Sequence, residues 1–131
     1  MIVVDSSAML ELLTNGPAAA AVRGHVEGDL RSMHAPHLIE LEIAQVARRL
    51  VRRGVVDAAV AGGFFAEFRG LGVSLYPHGP LLDRIWALRD NVSAYDGAYV
   101  ALALELDARL ITCDRRLSRA PIAELRAEYA G

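Results

Sequence analysis

Four acidic residues sit where a carboxylate can do chemistry. Asp5 follows the β-branched run Ile2–Val4, and Asp114 closes the apolar stretch beginning at Arg109. Each has the form of a buried strand delivering an acid at its carboxyl end. Asp96 stands fourth in Ser93-Ala-Tyr-Asp, and Glu42 lies at the border of a long amphipathic pattern. Each also has an ordinary alternative. Asp5 can cap the helix that follows, although Ser6 or Ser7 could do that instead, and Asp114 can belong to a turn. Asp96 can serve a capping box and the helix dipole. Glu42 can pair on the surface with Arg49 or Gln45, and Glu40 falls at least as close to the apolar face. The combination says more than any member. Acids from two strand ends and two helices can converge at one sheet edge, and an all-carboxylate oxygen site suits magnesium or manganese better than zinc. Such ions lower the pKa of a bound water and stabilise the leaving oxygen of a phosphodiester.

The elements that must position these acids alternate between strand and helix. Ile2–Val4 reads as a strand, followed by a short helix from Ser6 to Leu13 closed by Asn15, Gly16 and Pro17. A second helix spans Ala18 to Val26, ended by Gly28, and Arg31 to Ala35 is a short strand before Pro36. The strongest helical periodicity runs from Leu38 to Arg53, with Ile39, Ile43, Val46, Ala47 and Leu50 on one face. Asp57 caps a helix reaching Phe68, Val73 to Tyr76 is a strand, and Leu81 to Arg89 is helical. Ser93 opens a helix through Glu105, and Arg109 to Cys113 is the fourth strand. The tail from Ala120 to Gly131 is open between strand and helix. Alternation of this kind predicts an α/β fold with a central, mainly parallel sheet of four to five strands. Ligands of such sheets bind beyond the carboxyl ends of the strands, where Asp5 and Asp114 fall.

Composition narrows the function classes. A chain of 131 residues, 53% of them hydrophobic, is expected to form one domain over 1–131. No apolar run approaches the roughly 18–20 residues of a membrane helix, and the opening lacks a basic leader, so a cytoplasmic protein is expected. The lone Cys113 excludes an internal disulfide and a thiolate zinc cluster, and the four histidines lack ligand spacing and read as surface or loop residues. All 14 basic residues are arginine, which closes lysine Schiff-base chemistry and a Walker A loop. The formal charge of -2 argues against a passive nucleic-acid binder but not against a nuclease built on acids. Two arginine clusters stand out. Arg48, Arg49, Arg52 and Arg53 crowd the end of the long helix, while Arg115, Arg116 and Arg119 follow Asp114. The second cluster adjoins a candidate metal ligand and is the better RNA contact, because the guanidinium fork suits phosphate. Either cluster can also be a solvated helix face.

The sequence resembles the PIN-domain family in four segments met in the expected order. MIVVDSSAMLELL is similar to its first motif, APHLIELEIAQVARRL to its second, SAYDGAYVALALEL to its third and ARLITCDRRL to its fourth. The resemblance implies metal-ligand and catalytic roles for Asp5, Asp96 and Asp114. It selects Glu42 over Glu40, because the family's glutamate lies six residues after the proline. Within that family the chain looks most like bacterial VapC toxins of type II toxin–antitoxin systems. That implies a three-layer α/β/α fold, a homodimer, Mg2+- or Mn2+-dependent endoribonuclease activity and a cognate VapB antitoxin. Ser7 and Thr112 match polar residues that support the acids. The tail departs from the pattern, since APIAELRAEYAG lacks a clear β-branched run.

Other readings fare worse. Receiver domains need paired acids near the first strand and a late lysine, and haloacid-type phosphatases need D-x-D where this chain has Asp5-Ser6-Ser7. A catalytically inactive PIN-like module that only binds RNA or protein remains the non-enzyme alternative. It gives no physical reason for keeping four mutually repelling carboxylates.

Overall fold

A computed structural model describes residues 1–29 and 32–131. Five strands among the described residues form one wholly parallel sheet: β1 (Ile2–Val4), β2 (Met33–Pro36), β3 (Ser74–Tyr76), β4 (Arg109–Thr112) and β5 (Ala127–Tyr129), in the order β3-β2-β1-β4-β5. The helices are α1 (Ser6–Thr14), α2 (Ala19–Val26), α3 (Leu38–Arg52), α4 (Ala58–Gly70), α5 (Leu82–Ala87), α6 (Ala94–Glu105) and α7 (Arg115–Ser118). Helices α1 to α4 pack on one another, α5 packs on α6, and α6 lies against β1, β2 and β4. This is the expected α/β/α layering.

Strand β1 is central, and Ile2, Val3 and Val4 are all fully buried. A strand covered on both faces reads as an unbroken apolar run, which is why this one was legible. From β1 the chain steps outward to β2 and β3, then crosses to the opposite side for β4 and β5. The gap between β1 and β4 is therefore the topological switch point, where open parallel sheets bind ligands. Asp5 follows β1 and donates its backbone N–H to Ile111 O at 3.1 Å, so the ends of β1 and β4 are tied together.

Several boundaries move. The second strand starts at Met33 and includes Pro36; its expected start, Arg31, lies outside the described residues. The helix expected from Leu81 becomes a 3-10 turn, Gly79–Leu81, followed by the six-residue α5. Asp57 caps α4 as expected, its carboxylate accepting from Val60 N at 2.8 Å. Asn15 ends α1 at φ 50°, a left-handed conformation that asparagine tolerates.

The tail resolves as a strand. β5 pairs in parallel with β4, with Leu110 N donating to Arg126 O and Ala130 N to Thr112 O, both at 2.8 Å. Arg109 donates to both oxygens of Glu128 at 2.8 Å and to Asp29 Oδ2 at 2.9 Å, clamping this edge strand at the sheet end opposite the acids. His25 meets Glu128 at 3.0 Å, and His34 lies half-buried on β2 beside the Tyr76 hydroxyl at 2.7 Å. These two histidines are tied into the fold, and His34 departs from the expected surface or loop position, whereas His37 is exposed in a turn as expected.

Candidate active site

Asp5 is a strand-end carboxylate that the fold has buried, with 5% of its surface exposed. Its Oδ1 accepts from Ala8 N at 3.0 Å and from Ser7 Oγ at 2.6 Å, and its Oδ2 accepts from Thr112 Oγ1 at 2.5 Å. Asp5 is therefore itself the N-cap of α1. Neither serine takes that job: Ser7 is turned onto Asp5, and its oxygen also accepts from Cys113 N at 2.9 Å. Thr112 is fully buried and accepts from Asp114 N at 2.9 Å. Ser7 and Thr112 thus lace the ends of β1 and β4 around one carboxylate. Burial pushes the Asp5 carboxyl above its ordinary range, outweighing these three hydrogen bonds, and the charge of Asp96 adds to the rise.

Asp96 lies in the first turn of α6, where Ser93 caps by accepting from Asp96 N at 3.2 Å. The Asp96 carboxylate accepts from Arg116 Nη2 at 3.2 Å. Desolvation raises its pKa, Arg116 opposes that, and nearby Asp114 raises it further. Asp114 divides its two oxygens. Oδ1 caps α7, accepting from Arg116 N at 2.9 Å and Leu117 N at 3.2 Å, while Oδ2 stands 3.6 Å from Arg116 Nη2. Cap and candidate ligand are therefore compatible in one carboxylate.

Glu42 and Glu40 separate clearly. Glu40 is exposed and meets His37 at 3.5 Å, whereas Glu42 is part-buried and accepts a 2.5 Å hydrogen bond from Tyr99 OH. Tyr99 is itself buried on α6, one turn after Asp96. Burial, followed by the bond to Glu42 and the charge of Glu42, pushes the phenol far above its usual range, so it stays a proton donor. This partner was missed in the sequence. Its signal was a hydroxyl inside the otherwise apolar run Gly97–Ala103.

The acids feel one another in a chain. Asp5 acts on Tyr99, which holds Glu42; Asp96 acts on Asp5; and Asp114 acts on Asp96. Among the described residues no three of them stand together as a finished metal cage. The donor set nevertheless fits a hard divalent cation: every donor is a carboxylate oxygen, and one pair already holds a positive group, the Arg116 guanidinium. Burial lifts the Cys113 thiol to about 11.

The arginines expected to meet RNA divide. Arg116 and Arg119 line a groove with Asp96 and Asn91, of about 340 Å³. Arg115 turns away and stacks on Tyr129, its guanidinium 4.4 Å from the ring centre.

The model of the PIN domain matches residues 2–123. The chain belongs to the PIN-domain family. Ribonuclease VapC9 of Mycobacterium tuberculosis is 44% identical over 119 residues, covering 90% of this chain and 89% of that protein. Ribonuclease VapC12 of the same organism is 38% identical over 91% of each chain. Among solved structures, VapBC2 from Rickettsia felis bound to a promoter DNA fragment superposes with a TM-score of 0.74 over 100% of both chains. At 12% identity that likeness speaks for the PIN fold alone.

Proposed function

We propose that residues 1–131 form a single PIN domain acting as a divalent-metal-dependent endoribonuclease, the toxin of a VapBC-type pair that arrests growth by cutting RNA. The observation that carries this reading is the set of acids joined through shared partners at the switch point of the sheet: Thr112 links Asp5 to Asp114, Arg116 links Asp114 to Asp96, and Tyr99, on the helix of Asp96, holds Glu42. The names of the M. tuberculosis relatives supply RNA as the substrate class.

Asp5, Glu42, Asp96 and Asp114 are the residues that would hold magnesium, with manganese as an alternative. When bound, that ion supplies an activated water and charge stabilisation at the scissile phosphate. The chain's own part is positional. Ser7 and Thr112 fix both oxygens of Asp5, and Tyr99 aims Glu42. Arg119, beside Asp96 in the groove, offers a fork to a phosphate oxygen. Arg115, engaged with Tyr129, serves RNA less directly.

A VapB-type antitoxin is the proposed protein partner, on the family resemblance and the VapC names of the relatives. A homodimer is proposed on the family resemblance and on exposed apolar side chains. Phe64 and Phe68 are buried and Phe65 packs against the core, whereas Leu82, Trp86 and Tyr95 are exposed. Among the described residues no helix is long and apolar enough to cross a membrane.

The test is cleavage of total cellular RNA by the purified, antitoxin-free chain. Fragments are expected with Mn2+ or Mg2+ and intact RNA with EDTA. Uncut RNA under every metal condition, or cleavage indifferent to EDTA, overturns the reading; uncut RNA would leave the non-catalytic binding module.

A further inference from the structure

Arg116 stands between two of the acids. Its Nη2 is 3.2 Å from Asp96 Oδ2 and 3.6 Å from Asp114 Oδ2, and its own backbone N–H is bound by Asp114 Oδ1. Its position is therefore fixed at the Cα by α7, while its side chain, 77% exposed, is free to leave. A guanidinium and a divalent cation want the same thing from these oxygens, and neither can share them fully with the other.

We propose that Arg116 is a built-in counter-cation for the Asp96–Asp114 pair, competing with the metal and swinging toward the groove when the metal binds. The inference rests on the metal-site reading above. Three observations support it. Asp96 and Asp114 present one oxygen each to the same guanidinium nitrogen, so the two carboxylates already share one positive partner. Among the described residues no third acid closes the site around a cation, so loading requires rearrangement, and the exposed Arg116 is the side chain that can move at least cost. The groove that Arg116 lines beside Arg119 gives the displaced guanidinium a place to go, where it is available to an RNA phosphate. Competition of this kind is reciprocal: whatever the arginine contributes to the acid pair, the metal must overcome.

The test is Mn2+ binding by isothermal titration to the full chain, without RNA. Arg116→Ala is expected to bind Mn2+ about 3- to 10-fold more tightly than wild type, the scale of an exposed ion pair lost to each of two acids. Arg52→Ala, which removes the same charge at the far end of α3, is expected to bind as wild type does. A second readout follows the arginine Nε–Hε signals by NMR as Mg2+ is added. The Arg116 signal, identified by its loss in Arg116→Lys, should move at the concentrations that fill the site, while that of Arg52 stays. Wild type and Arg116→Ala binding equally, or an Arg116 signal indifferent to Mg2+ that demonstrably binds, overturns the counter-cation role and leaves the metal site standing. Wild type binding no Mn2+ overturns both.

Discussion

Asp5→Asn is expected to lose metal-dependent RNA cleavage by at least about 100-fold, since even groups that merely support a metal ligand cost 10- to 100-fold when removed. In EDTA the same variant is expected to melt higher than wild type. The fold buries Asp5 and raises its pKa, so its ionised form is penalised at neutral pH. Asparagine keeps the geometry: its oxygen can accept from Ser7 Oγ and Ala8 N, and its amide can donate to Thr112 Oγ1. Gains from relieving a functional site are commonly about 0.5–2 kcal/mol. The sign can be checked by pH. A group with a raised folded pKa contributes stability that is present below its unfolded value and lost as pH rises through the folded one. Wild type in EDTA should therefore gain on Asp5→Asn as pH falls from neutral toward the ordinary carboxylate range. His34, whose pKa burial lowers, works in the opposite direction below its own ordinary value, as do Asp29 and Glu128 at lower pH. Comparing the two proteins cancels these. A variant less stable than wild type in EDTA at neutral pH would contradict the account of Asp5 as a strained, buried acid.

Thr112→Val is expected to destabilise the fold by about 2–3 kcal/mol, although valine matches threonine in shape. The substitution removes the fully buried hydroxyl that donates to Asp5 Oδ2 and accepts from Asp114 N. A buried carboxylate oxygen and a backbone N–H are then left without their partners, and an unmet buried group costs more than the bond itself contributed. Thr112→Ser keeps the hydroxyl and should lose about 1 kcal/mol or less, the worth of a buried methyl group. Chemical denaturation of the three proteins measures this. Equal stability of the valine variant and wild type would show that Thr112 is a filler of space rather than a support for Asp5.

How much of this was legible in the sequence follows from where the information lies. Strand β1 was plain because full burial demands an unbroken apolar run, and Asp5 was plain because it ends that run. The parallel sheet followed from alternation. Strand β5 was not legible: Ala127-Glu-Tyr has no β-branched residue, and what holds it is backbone pairing with β4 and the distant clamp of Arg109 on Glu128. The pairing of Glu42 with Tyr99 was hidden for a similar reason, since 57 residues separate them and neither residue type announces the other. Periodicity alone left Glu40 competing with Glu42, because helical angle reports the direction of a side chain but not what stands opposite it. Arg116 was read as a phosphate contact; its place between Asp96 and Asp114 depends on how α7 turns after β4, which no local pattern encodes.

The central claim is that these four acids form one divalent-metal site, and anomalous diffraction from crystals of the chain grown with Mn2+ tests it most directly. The account predicts a manganese peak at the β1–β4 switch point, within roughly 2.5 Å of carboxylate oxygens of Asp5 and Asp96. Asp114 and Glu42 should face it directly or through water, and Arg116 should be withdrawn from the acid pair. A manganese peak elsewhere in an RNA-cleaving protein, with these carboxylates still turned to Arg116 and Tyr99, would contradict it.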